Sequence, residues 1–237
     1  MKEIISNIFF NRAGFDVYRC ANYECFPFIV DVIGPPGVGK SHLIKHLIKG
    51  HVLNNERQKI DKKRMECKSR ALLLSLASRR IIDIGILQKK VTKALYDLNI
   101  HSATLGVMVD EGLCQHFMNE LRMLASERPD HFDFIMKRRA LINLSTSPKQ
   151  INVRIRTRAK RKGIMRSYHQ DKTEEELSQF NSQFLEQSEA LVTTMRERNF
   201  SAITIDVSKG DDVVIGEVVD FLRSLESYKS SEFLVKV

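Results

Sequence analysis

Gly34-Pro35-Pro36-Gly37-Val38-Gly39-Lys40-Ser41 constrains this chain more than any other segment, because it fits GxxxxGK[ST] at every fixed position. Residues 28–33 (FIVDVI) precede it, a short apolar run after Pro27 that suits a buried parallel strand. Beyond it Leu43, Ile44, Leu47 and Ile48 recur at helical spacing up to Gly50, which predicts an amphipathic helix with a glycine stop. Strand, glycine-rich curl and helix in that order aim successive backbone N–H groups and the positive end of the helix dipole at one point. The result is a cradle for a polyphosphate. There Lys40 is expected at the β and γ phosphates, with the Ser41 hydroxyl on Mg²⁺. An ordinary strand-to-helix turn needs Gly or Pro but not the closing Gly-Lys-Ser.

The rest of the chain supplies more strands and helices of the same kind. At roughly 150 residues per domain, 237 residues make one large domain or a core with a modest insertion. Residues 105–109 (LGVMV) read as a central strand stopped by Asp110 and Glu111, and a helix carrying Leu113, Phe117, Leu121 and Leu124 follows. Residues 127–139 read as polar and irregular, and 140–144 (ALINL) as a third strand. Ser147, Pro148 and Gln150 combine an N-cap, a first-turn proline and a capping-box partner, so a helix with Ile151, Arg154, Ile155 and Arg158 starts there and ends near Gly163. Thr173 and Glu176 repeat the capping box and open a long helix to about Arg198. Residues 201–207 (SAITIDV) are a last strand, and 211–225 a closing helix with Val214, Val218, Phe221, Leu222 and Leu225 inward. Residues 62–98 read as two or more helices, and no segment declares itself as the second strand. The alternation argues for an α/β fold with a mostly parallel sheet covered on both faces. Residues 1–27 are expected as an N-terminal extension, 28–226 as the domain and 227–237 as a tail.

Charge adds a second theme. Lys and Arg number 38 against 29 Asp and Glu, a net +9 that favours anionic partners. Arg154, Arg156, Arg158, Lys160, Arg161, Lys162 and Arg166 put seven cations into thirteen positions, and without them +9 falls to +2. Arg154 and Arg158 share a helical face, and two guanidinium forks suit phosphate oxygens and the charge spread over a transferring phosphoryl group. A solvated basic face and a nucleic-acid strip are the alternatives for this segment. Asp110 and Glu111, at a strand end after the phosphate loop, are expected to serve the metal: Asp110 on the Mg²⁺ side and Glu111 as the base. Asp31 interrupts an apolar strand and reads mainly as a buried, paired carboxylate. His42, His46 and His51 read as helix-surface residues rather than metal ligands, because no supporting ligand cluster accompanies them in the sequence. Cys20, Cys25, Cys67 and Cys114 form no paired metal knuckle and no secreted-type framework. With no secretory signal, and no apolar run near the roughly 20 residues that cross a bilayer, the expected location is the cytoplasm.

On these residues the chain resembles the P-loop small-molecule kinases: nucleoside monophosphate kinases, thymidylate kinase and shikimate kinase. GPPGVGKS matches the phosphate loop, VMVDEG the strand-end acidic motif, and INLSTSPKQINVRIRTR the strand, turn and helix that lead into a LID with paired arginines. SAITIDVSKGDD is similar to their last strand and base-side loop. The resemblance implies a three-layer α/β/α sandwich with strand order 2-3-1-4-5, a helical LID at about 154–172, and Mg·ATP as donor. It implies that Gly34 through Ser41 and His42 hold the nucleotide, with Arg154 near the base or phosphates and Arg158 on the transferred phosphate. It also implies that Val207, Ser208 and Lys209 flank the base, while residues 60–100 border the acceptor, with Arg79 and Arg80 as weak candidates there. The expected activity is phosphoryl transfer from Mg·ATP to a small acceptor, by a protein that acts alone or as a homodimer. The rival readings are an NTP-hydrolysing switch or AAA-type ATPase, and an ATPase that binds nucleic acid through the 154–166 strip.

Overall fold

The structure is a computed structural model that describes residues 17–19, 29–53, 107–110, 112–137, 139–163, 167–170 and 172–227. The helices expected within 62–98, the acceptor-side candidates Arg79 and Arg80, the base candidate Glu111 and most of the tail lie outside the described residues. In chain order the elements are β1 (Val17–Arg19), β2 (Ile29–Ile33), α1 (Lys40–Lys49), β3 (Val107–Asp110), α2 (Leu113–His116), α3 (Met118–Glu127) and α4 (Pro129–Met136). β4 (Arg139–Ser145), α5 (Pro148–Lys162), α6 (Ser167–Gln170), α7 (Glu174–Glu197), β5 (Ala202–Asp206) and α8 (Asp211–Ser227) follow.

Apolar alternation along the strands explains the layering. Val30 and Val32 of β2, with Ile142 and Leu144 of β4, face a core shared with Leu43, Ile44 and Leu47 of α1 and Val214, Val218 and Leu222 of α8. Ile33 and Leu141 face the opposite core, built with Leu121 of α3, Phe132 and Ile135 of α4, and Leu191, Val192 and Met195 of α7. A strand buried on both faces must be apolar at nearly every position, as β2 is, and each such side chain contributes about 1.5–3 kcal/mol by leaving water.

β3, β2, β4 and β5 run parallel in that spatial order, and β1 pairs antiparallel with β3 at the sheet edge. The expected order 2-3-1-4-5 is therefore corrected. The strand beside β3 is the antiparallel segment Val17–Arg19, drawn from residues expected to be an extension, with Val17 opposite Val109 and Arg19 opposite Val107. An exposed edge on β3 would leave its backbone groups unpaired, and three residues are enough to cover it. A strand so short has no periodicity to read.

Helix ends follow their capping residues. Ser147 Oγ accepts from Gln150 N at 3.3 Å, and α5 ends at Gly163 with φ of 67°. Thr173 Oγ1 accepts from Glu176 N at 3.2 Å while Thr173 N donates to Glu176 Oε2 at 2.8 Å, a reciprocal capping box that starts the 24-residue α7. Two expectations fail here. The segment 127–139 contains α4, whose Phe132, Ile135 and Met136 fall at helical spacing on one buried side behind a first-turn proline. The single helix expected through Leu113 to Leu124 is broken at Phe117, where φ of −128° and ψ of 30° separate α2 from α3 and bury the ring.

Candidate functional site

The parallel strands end level with one another. Val32 is opposite Asp110, Ile33 opposite Asn143, and Ser145 opposite Asp206, so the loops after β2, β3, β4 and β5 meet at the carboxyl edge of the sheet. Open α/β sheets bind ligands at that edge.

The Gly34–Ser41 loop is held there by its backbone. Gly34, Gly37 and Gly39 have φ of 141°, 95° and 126°, values that side-chain-bearing residues rarely adopt. Space is as restrictive as torsion: a Cβ on Gly34 would stand 2.7 Å from the Leu144 carbonyl oxygen, and one on Gly37 2.8 Å from Ile155 Cγ1. The loop is thus pressed between the end of β4 and the apolar face of α5. Gln115 of α2 clamps its first residue from the other side, Gly34 N donating to Gln115 Oε1 at 3.0 Å and Gln115 Nε2 donating to Gly34 O at 3.1 Å.

Cations converge on the loop. Lys40 is buried and its Nζ donates to Gly34 O at 2.6 Å and Pro35 O at 3.5 Å. Arg154 Nη1 donates to Val38 O at 2.5 Å and lies 3.7 Å from where a Gly39 Cβ would stand. Ser41 is exposed beside Lys40, and Asp110 is half-buried at the end of β3. Arg158 is half-buried one turn beyond Arg154, and among the described residues no hydrogen bond ties it to the loop.

Next to the loop opens a cleft of about 310 Å³. Val38, Gly39, His42, His46, Arg154, Val207 and Asp211 line it together with the apolar Leu43, Val214 and Ile215. His42 Nε2 donates to Asp211 Oδ2 at 2.8 Å, and His46 Nε2 lies 3.8 Å from the same oxygen. The hydrogen bond from His42 holds the Asp211 carboxyl below its ordinary 3.8, with His42, His46 and Arg154 adding electrostatic support against a desolvation cost.

No family model and no curated protein matches the chain. The geometry alone therefore sorts the residues. It brings together Gly34, Pro35, Pro36, Gly37, Val38, Gly39, Lys40, Ser41 and Arg154, and sets His42 and Val207 in the adjoining cleft. Ser208 instead turns both its N and its Oγ to Asp206, each at 2.9 Å, and Lys209 Nζ bonds Glu217 at 2.6 Å. Asp31 is a buried ion-pair partner, its Oδ2 2.9 Å from Arg139 Nη1. Gln115, His46, Asp211 and the isoleucines of α5 are additions that the sequence alone did not signal, apart from the spacing of His42 and His46. No helix among the described residues is long and apolar enough to cross a membrane.

Proposed function

We propose that the chain is a P-loop phosphotransferase that moves the γ-phosphate of Mg·ATP to a small acceptor. The observation that carries this reading is the glycine loop, held at positive φ at the carboxyl edge of parallel strands, with Lys40 and Arg154 both bonded to its carbonyls. The loop fits a polyphosphate, since its glycines leave no room for side chains beside Leu144 and Ile155 and α1 begins immediately after it. Ser41 and Asp110 are the oxygen donors that would hold Mg²⁺, which would supply positive charge to the phosphates.

The chain's own groups then position and neutralise. Lys40 exchanges the Gly34 and Pro35 carbonyls for phosphate oxygens, a trade that keeps a buried ammonium hydrogen-bonded throughout. Arg154 spans the loop and the cleft, so one guanidinium serves the phosphates and the base side together. Charge developing on the transferred group meets fixed cations rather than reorganising water. The apolar lining of Leu43, Val207, Val214 and Ile215 suits the face of a nucleobase.

The test is transfer of label from γ-labelled ATP into a fractionated extract of small metabolites, with wild type and Lys40→Ala side by side. A labelled small molecule formed only by wild type supports the kinase and isolates its acceptor. Label released only as free phosphate would replace this reading with the NTP-hydrolysing switch, and equal transfer by Lys40→Ala would end both.

A further inference from the structure

The cleft also contains a donor set of a different chemical kind. His42 and His46 are four residues apart on α1, on one face, with ring centroids 4.5 Å apart. Asp211, the first residue of α8, comes from 169 positions away in sequence to meet them. The three donor atoms all lie within 4.8 Å of one another. Buried contacts set this meeting: Leu43 and Leu47, on the inner side of the helix that carries both histidines, share a core with Val214 and Val218 of α8.

We propose that His42, His46 and Asp211 form a binding site for a divalent d-block ion of the Zn²⁺ class, with water completing its coordination. Two imidazoles on successive helical turns and one carboxylate are the ligands such ions prefer, whereas Mg²⁺ and Ca²⁺ require oxygen donors throughout. Ligand bonds of about 2.0–2.2 Å in a tetrahedral site place donors about 3.3–3.5 Å apart. The present separations of 2.8 and 3.8 Å from Asp211 Oδ2 bracket that value. All three side chains reach solvent, with exposures of 59%, 32% and 55%, which gives an ion a path in. Arg154 is the opposing cation nearby, and its Nη1 is already committed to Val38 O.

The site shares its cleft with the proposed nucleobase position but uses neither Ser41 nor Asp110, and no nucleotide is needed to load it, so it is tested apart from phosphotransfer. The full chain, stripped of metal by chelator and kept free of nucleotide, is titrated with Co²⁺ by visible absorption and with Zn²⁺ by calorimetry. A His42→Ala/His46→Ala double variant is titrated in parallel, which cancels any binding by cysteines or other histidines. The expected result is one more equivalent bound by wild type than by the double variant, with excess Mg²⁺ failing to displace it. His42→Ala, His46→Ala and Asp211→Asn singly should each weaken that equivalent by about tenfold or more, given that losing even an outer-shell partner of a metal site costs 10–100-fold. Far-UV circular dichroism unchanged from wild type separates lost ligation from lost fold. Identical stoichiometry in wild type and double variant would overturn the site, as would Asp211→Asn binding as tightly as wild type.

Discussion

Two side-chain contacts of nearly equal length, each between a carboxylate and a nitrogen donor, tie the β2–α1 unit to distant parts of the chain, and they do opposite work. Asp31 Oδ2 meets Arg139 Nη1 at 2.9 Å with both side chains at 0% exposure. His42 Nε2 meets Asp211 Oδ2 at 2.8 Å with exposures of 59% and 55%. Distance does not separate them; desolvation does. The first pair lies inside the sheet between β2 and β4, where each charge depends on its partner because water cannot replace it. It holds the strand that leads into the Gly34–Ser41 loop in register with its neighbour. The second pair stands in a cleft where water or a ligand can replace either partner at small cost. Scaffold and site thus use the same contact in two dielectric settings.

The largest expected effect comes from breaking the buried pair. Asp31→Ala removes the buried carboxylate that meets Arg139 Nη1 and should cost about 3–5 kcal/mol in a urea unfolding curve. Replacing both residues by apolar ones of similar size should recover much of that loss, because an isosteric hydrophobic pair often equals a buried ion pair in stability. A single-variant loss below about 1 kcal/mol would show that this contact is no more vital than a surface one.

Gln115→Ala comes next. It removes the acceptor for the buried Gly34 N–H while Lys40 still bonds the Gly34 carbonyl, so the expected cost is about 1–3 kcal/mol, that of one unsatisfied buried donor. Thermal unfolding with and without ATP sharpens the comparison. If Gln115 serves the loop more than the core, the shift produced by ATP should shrink along with the melting temperature.

Much of this was legible in the sequence, and what was not shares one physical cause. The glycine loop, the caps at Ser147, Thr173 and Gly163, and the apolar strands are local: residue type and spacing over a few positions state the backbone need. Arg154 lies about two helical turns past the Ser147 cap, in a helix whose start the sequence states, and so its place on α5 was readable. Asp211 and Gln115 were not, since each meets its partner 169 or 81 residues away. Nothing in the run Lys209-Gly210-Asp211 says that two histidines of α1 will face it. β1 and α4 escaped for a related reason, being three and eight residues long, too short for a period to stand out from a loop.

The smallest expected effect concerns the exposed pair and tests whether it persists in solution. Asp133, Asp206 and Asp211 are held below the ordinary 3.8, by Arg198, by hydrogen bonds from Ser208 and by His42 respectively, and Glu174 is held below 4.5, first by Asn152 and then by Arg156. A carboxylate depressed in the folded state contributes stability that is complete above its unfolded value and lost as pH falls through the folded one. The melting temperature should therefore be insensitive to these groups near neutrality and fall below about pH 4. Asp211→Asn removes one contributor to that acid limb and should make it slightly shallower, while His42→Ala should leave the neutral melting temperature unmoved because water takes over from an exposed partner. An acid limb of the same slope in wild type and Asp211→Asn would mean that His42 does not hold this carboxylate in solution. In that case the cleft would offer a carboxylate and two imidazoles with no preset arrangement, and the contrast with the buried pair would become one of order as well as of solvation.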